Sequence, residues 1–323
     1  MSSLNRIATE VKKGWSDSAP LTATTFVMLV AFVASVAGIL LDGRLITGVP
    51  AWLKPAKFAI STAIFSGTMA WLYRYISVWP RFVRAMGWVL AAVLVLEVGI
   101  IHVQAARGTT SHFNVGTPLD LALGGIMGVS IAVLWLASVG MLVALFRQKF
   151  SDPAWDWWLR MGMLVTVLGS ASGGLMVRPT SQQAEALRAG YSVSSVGAHT
   201  VGGPDGGPGL AGVGWSTRHG DLRIPHFFGL HGVQIIAFLG WLVLRRSRAD
   251  RKQASRAFAA ATSYLGLVAI LTWQALRGQS IVEPDGATFL ALLIWLGTTA
   301  AAVVFLSGAV SREHSSAASR LTA

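Results

Sequence analysis

The chain contains no cysteine. Disulfides, iron–sulfur clusters, thiolate metal sites and cysteine nucleophiles are therefore excluded. Charge is also scarce: 12% of residues are Asp, Glu, Lys or Arg, about half the share of a soluble domain. Acids are the rarer sign, 14 against 26 basic residues. No Gly-Lys-Ser/Thr follows the glycine-rich stretches, so phosphate-loop nucleotide binding has no support. No nucleophile–base–acid set is visible. Only "HFFGLH" (226–231) approximates a histidine box, and a membrane di-iron hydroxylase needs several.

Apolar residues fill the space that charge leaves, at 53% of the chain. Eight apolar runs fall near 22–41, 57–76, 86–105, 118–146, 157–177, 225–244, 257–276 and 287–309. A helix needs about 20 residues to cross a bilayer, so the expected fold is an all-α integral membrane protein with eight transmembrane helices. The first run is longer than a signal-peptide core and is read as a retained anchor. Tryptophans such as Trp52, Trp79, Trp155 and Trp215 lie at run ends, as in an interfacial belt.

The net charge of +12 reads mainly as topology. Arg6, Lys12, Lys13, Arg74, Arg81, Arg84, Arg147, Lys149, Arg160, Arg245, Arg246, Arg248, Arg251, Lys252, Arg256, Arg312 and Arg320 share one set of alternate segments. By the positive-inside rule that set is cytoplasmic, with both termini, and the protein is multi-pass in a bacterial inner membrane. The basic loop 245–256 then touches anionic lipid rather than nucleic acid. Six of the seven histidines, all but His314, fall on the opposite, periplasmic side. Leu4, Ile7, Val11 and Trp15 recur at helical spacing beside Lys12 and Lys13, which suggests an interfacial helix within 1–21.

A repeat lies inside the runs. "QAARGTTS" (104–111) and "QALRGQS" (274–280) are 170 residues apart, and Pro55 and Phe58 match Pro225 and Phe228 at the same offset. The expected organisation is two parallel four-helix halves, 22–150 and 151–310, with a tail at 311–323. The second half contains a long glycine-rich loop, 178–223, expected to act as a lid, with a short helix over 181–188 stopped by Gly190. Thr117-Pro118-Leu119-Asp120 reads as a helix start, and Pro225 suits another. "GSASGG" (169–174) suggests close packing through small residues, or a local unwinding that exposes backbone.

Candidate chemistry follows from ionisable groups at membrane depth. Glu97 lies within an apolar run, where a carboxyl is costly unless protonated, paired or hydrated. It reads as a proton carrier, a ligand-binding acid or a structural partner of Lys57. Lys57 itself fits either a coupling role or snorkelling to the surface. Asp221 completes the candidate catalytic set. His102 and His231, on different helices, are candidate haem ligands. His199, His219, His226 and His231 are candidate metal ligands with Asp205 or Asp221. On a regular helix His226 and His231 lie about 140° apart, too far round to act as a pair. Arg107, Arg178 and Arg277 close three runs on one face and suit a carboxylate, propionate or headgroup. Gln104 and Gln274 close the two matched segments and join the candidate cofactor set.

The span count and repeat resemble the architecture of haem A synthase. That resemblance implies haem-binding histidines on helices of both halves, whereas here runs 2, 4, 5, 7 and 8 have none. The resulting expectation is an outward-facing His/Glu/Arg site binding haem or a transition metal, in a redox protein linked to quinone. The competing expectations are a transporter of a small anionic substrate and a lipid-modifying enzyme of the outer leaflet.

Overall fold

The computed structural model describes residues 3–246 and 252–321. Arg248 and Arg251 lie outside the described residues, as do the side chains of Arg6, Arg312, His314 and Arg320. All eight apolar runs are helical. The long helices are α1 (Ser3–Leu41), α2 (Leu53–Tyr73), α3 (Pro80–Ala106), α4 (Pro118–Arg147) and α5 (Pro153–Ser170). After a short α6 (Ser181–Arg188) come α7 (Arg223–Leu230), α8 (Gly232–Leu244), α9 (Gln253–Leu276) and α10 (Gly286–Leu321).

Among the described residues, five helices are long and apolar enough to cross a membrane: α1, α3, α4, α9 and α10. The α7–α8 pair, bent by 49°, makes six if counted as one span. That is fewer than the eight expected. α2 carries Lys54 and Lys57, while α5 has only 18 residues and includes Asp156 and Arg160. The protein is thus all-helical and multi-pass in character. α1 is broken at Ser18, two residues before Pro20, so the expected N-terminal helix is a separate segment.

The helices pack in two sets. α1 lies along α2 and against α3, α2 touches α3, and α3 packs on α4. In the same order, α5 packs on α8 and α9, α7 and α8 touch α9, and α9 packs on α10. The α4–α5 contact joins the sets, and Met141, Leu145, Leu159 and Met163 form the centre of the largest buried cluster. Lipid gives helices little hydrophobic reason to associate, so close approach depends on small residues. Gly229 shows this: a Cβ there would sit 2.5 Å from the Gly169 backbone. The "GSASGG" segment is therefore a packing surface, and beyond Ser170 it tightens into a 3-10 turn over Ala171–Leu175.

The repeat segments share a local geometry. α3 and α9 both end with a glycine in the left-handed region, Gly108 and Gly278, each at φ +74°. Thr109 N–H donates to the Gln104 carbonyl at 3.0 Å, and Gln279 N–H donates to the Gln274 carbonyl at 3.2 Å. This is the Schellman closure, in which only glycine sits at the turn without strain. The Gln104 amide also donates to the Thr110 carbonyl, and the Gln274 amide to the Ser280 carbonyl.

The other expected helix signals are borne out. Thr117 caps α4 by accepting the Asp120 N–H. α6 spans the expected residues behind a Thr180/Gln183 capping box, and Gly190 lies at φ +80°. Residues 189–222 form an ordered cover over one end of the molecule, the loop face. Thr200–Val201 pairs antiparallel with Gly220–Asp221. Phe113 and Ser194 backbone groups bond across to Val196 and Val115, so the cover is tied to the α3–α4 connection.

Candidate functional site

The break between α7 and α8 falls at His231, flanked by Gly229 and Gly232. Interrupting a helix at membrane depth frees backbone groups that lipid cannot satisfy. Neighbouring helices do so here. The Val233 N–H donates to Thr166 Oγ1 on α5 at 2.8 Å, and the Phe228 carbonyl accepts from Tyr264 Oη on α9 at 2.8 Å. The break invalidates the regular-helix geometry assumed for His226 and His231. His231 Nε2 lies 3.2 Å from Ser61 Oγ of α2, linking the two helix sets.

Above this contact, at the loop face, several polar side chains converge. Lys54 Nζ stands 5.9 Å over the Phe58 ring. Phe58 is 5.6 Å from His112, and Phe113 bridges His112 to His199 at ring distances of 6.1 and 4.9 Å. His226 lies beneath the 3-10 turn: a Cβ on Gly173 would be 2.8 Å from its ring, and its Nδ1 is buried without a hydrogen-bond partner among the described residues. Lys57 Nζ donates to the Val213 carbonyl of the cover at 2.5 Å. All of these except Phe58 are half-buried, neither enclosed nor on an open surface.

The carboxylates present are already engaged. Asp205 accepts from His199 Nδ1 at 2.8 Å and from the His199 and Thr200 N–H groups. Asp221, 1% exposed, takes the Arg223 guanidinium at 2.5 Å and the Ser216 N–H at 2.8 Å. Burial, with like charge from Arg223 and Lys57, lowers the Lys54 pKa to about 7, against the pull of Asp205. Lys54 has no ion-pair partner among the described residues.

Burial, with Lys54, His199 and His226 nearby, holds the His112 pKa well below its ordinary 6.5. Burial lowers His199 too, against the pull of Asp205. For Asp205, burial alone acts upward, but the hydrogen bonds from His199 and the backbone hold its carboxyl well below the usual range. At neutral pH, His112 and His199 are therefore uncharged, while Arg223 is charged and Lys54 is close to the middle of its titration.

The remaining candidates lie apart from this cluster. His102 Nδ1 donates to the Val98 carbonyl, leaving Nε2 against Ser35 Oγ at 2.9 Å. His102 and His231 thus have separate partners, Ser35 and Ser61. His219 packs against Gly203 within the cover. No group of three or more His, Asp or Glu side chains among the described residues could hold a metal ion. The expected metal set of His199, His219, His226 and His231 is not assembled among the described residues, and Asp205 and Asp221 are bound locally.

Glu97 is 5% exposed, and its Oε1 has no partner among the described residues. The expected Glu97–Lys57 pair is absent. The three arginines do not meet either. Arg107 binds Gln104 and Asp120, Arg277 binds Asp285, and Arg178 is exposed. Gln104 donates to Asp120 at 2.8 Å and serves as a helix-end clamp, as Gln274 does through Ser280. Lys54 and His112 were not singled out from sequence; the Lys54/Lys57 spacing of three, one helical face, was the signal. The chain matches no protein-family model, no curated protein and no solved structure.

Proposed function

We propose that this is a membrane carrier that takes a small anionic substrate at the loop face, between two helix sets. The chain crosses a bacterial inner membrane eight times as two parallel four-helix halves, 22–150 and 151–310, with both termini cytoplasmic and the loop face outward. The shared packing order, the matched Schellman turns and the Ser61–His231 contact at the repeat offset support the halves. Pseudo-symmetric halves that meet along one seam suit alternating access.

The observation that carries the reading is Lys54. It is a half-buried amine beside Lys57, Arg223, His112 and His199, while both nearby carboxylates are bound elsewhere. A small anion there would supply the missing counter-charge, and a protonated histidine would add a charge-assisted hydrogen bond.

The chain has six lysines, so an anionic amine-reactive probe can map the site. Pyridoxal 5′-phosphate followed by borohydride should modify Lys54 faster than Lys12, Lys13 or Lys149, and excess inorganic phosphate should protect it. Labelling of Lys54 no faster than the terminal lysines would defeat the reading.

A further inference from the structure

His199 is held by a carboxylate in a way that fixes its ring proton. Asp205 Oδ1 accepts the N–H groups of His199 and Thr200 at 2.9 and 2.8 Å. Asp205 Oδ2 meets His199 Nδ1 at 2.8 Å. An ionised carboxylate can only accept, so Nδ1 carries the proton and donates it. A neutral imidazole has one N–H, which leaves Nε2 as a lone pair. That nitrogen has no hydrogen-bond partner among the described residues. It can be reached: the His199 side chain is 21% exposed, and Nε2 is not enclosed as the unpartnered Nδ1 of His226 is.

The ring belongs to the anion site. It lies 4.9 Å from Phe113, which also contacts His112. Burial lowers the His199 pKa most, the Asp205 hydrogen bond opposes that, and like charge from Lys54 adds to the lowering. Lys54 and His199 therefore offer opposite functions within one cluster. A protonated lysine only donates, whereas His199 Nε2 accepts. An oxyanion without a proton would satisfy the first and be repelled by the second.

We infer that the anion taken at the loop face is a proton-bearing oxyanion of the hydrogen phosphate class, its O–H donating to His199 Nε2 while its charged oxygens face Lys54. The inference deepens the anion-site reading and rests on it. Sulfate or a carboxylate has no proton to give at neutral pH. Either would set lone pair against lone pair, or would require a charged His199 where burial opposes the charge. Asp205 is then a positioning residue, which acts on the anion through the tautomer it imposes on His199.

The test is equilibrium dialysis of the purified full chain in detergent at pH 7.5 against inorganic phosphate, sulfate and monofluorophosphate. Monofluorophosphate has the shape and charge of hydrogen phosphate, with fluorine in place of the hydroxyl. Phosphate should bind at least tenfold more tightly than either, since a site built to pair a hydroxyl rejects the analogue that lacks it. Asp205→Asn should abolish or reverse the preference. Its amide oxygen can keep the two backbone N–H groups while its amide nitrogen donates to Nδ1, which moves the ring proton to Nε2. His199→Gln, which presents both a donor and an acceptor, should bring the three anions within about twofold of one another. Equal affinities in the parent protein, or a preference that survives both substitutions, would overturn the assignment and leave the anion site standing. Binding of none of the three would overturn the anion site and the selection together.

Discussion

Ser61 and His231 stand 170 residues apart in the chain and 3.2 Å apart in space. They stand at the same offset as the 104–111 and 274–280 segments, and the contact joins the two helix sets. His231 reaches Ser61 because α7 and α8 break there, with Thr166 and Tyr264 satisfying the freed backbone.

Glycine contacts should limit stability in a position-specific way. Gly229→Ala drives a methyl into the Gly169 backbone, whereas Gly99→Ala meets nothing within 4 Å. Overpacking costs about 1–3 kcal/mol, while glycine-to-alanine in an unobstructed helix gains about 0.5–1 kcal/mol. Thermal unfolding in detergent should place Gly229→Ala below the parent protein and Gly99→Ala at or above it.

The two helix-end clamps should differ in weight. Asp120 is almost fully buried against Arg107, Gln104 and Thr117, while the Asp285 carboxylate is 40% exposed where it meets Arg277. The two arginines are equally exposed, so water screens the second pair more through its carboxylate. Asp120→Ala should therefore lower the melting temperature more than Asp285→Ala does; the reverse order would contradict the burial difference.

Acid should destabilise the loop face before it protonates the carboxylates. His112 and His199 have pKa values lowered by burial, so below 6.5 the unfolded chain binds protons that the folded chain refuses. Stability is full above that value and falls as pH drops through it. Asp205, lowered by His199 and backbone hydrogen bonds, loses its contribution only in stronger acid. Melting temperatures between pH 7.5 and 5 should fall, and His112→Gln should flatten the slope.

Orientation can be read directly, because the chain lacks cysteine. A single cysteine at Arg218 should react with an impermeant maleimide on intact cells, and one at Lys149 only after permeabilisation. The opposite pattern would invert the topology.

The helices and several of their ends were legible because apolar run length, the N-cap at Thr117 and the glycine stop at Gly190 act locally. The break at His231 was not, since Gly229 and Gly232 are tolerated within helices and only packing against α5 makes them bend one. The gathering of histidines at one end was legible from loop alternation. The partners of the acids were not, because they are local choices: Asp205 turns to His199 and Asp221 to Arg223. Lys54 was passed over because lysine near a span end ordinarily reaches solvent, whereas here the cover folds over it.

The most direct test is anion binding itself. Equilibrium dialysis of the purified protein against inorganic phosphate should give saturable binding that strengthens from pH 7.5 to 6, since Lys54, lowered to about 7, gains its proton across that range. Lys54→Gln should weaken it at least tenfold. Binding that is absent, or unchanged by Lys54→Gln and by pH, would contradict an anion site at the loop face.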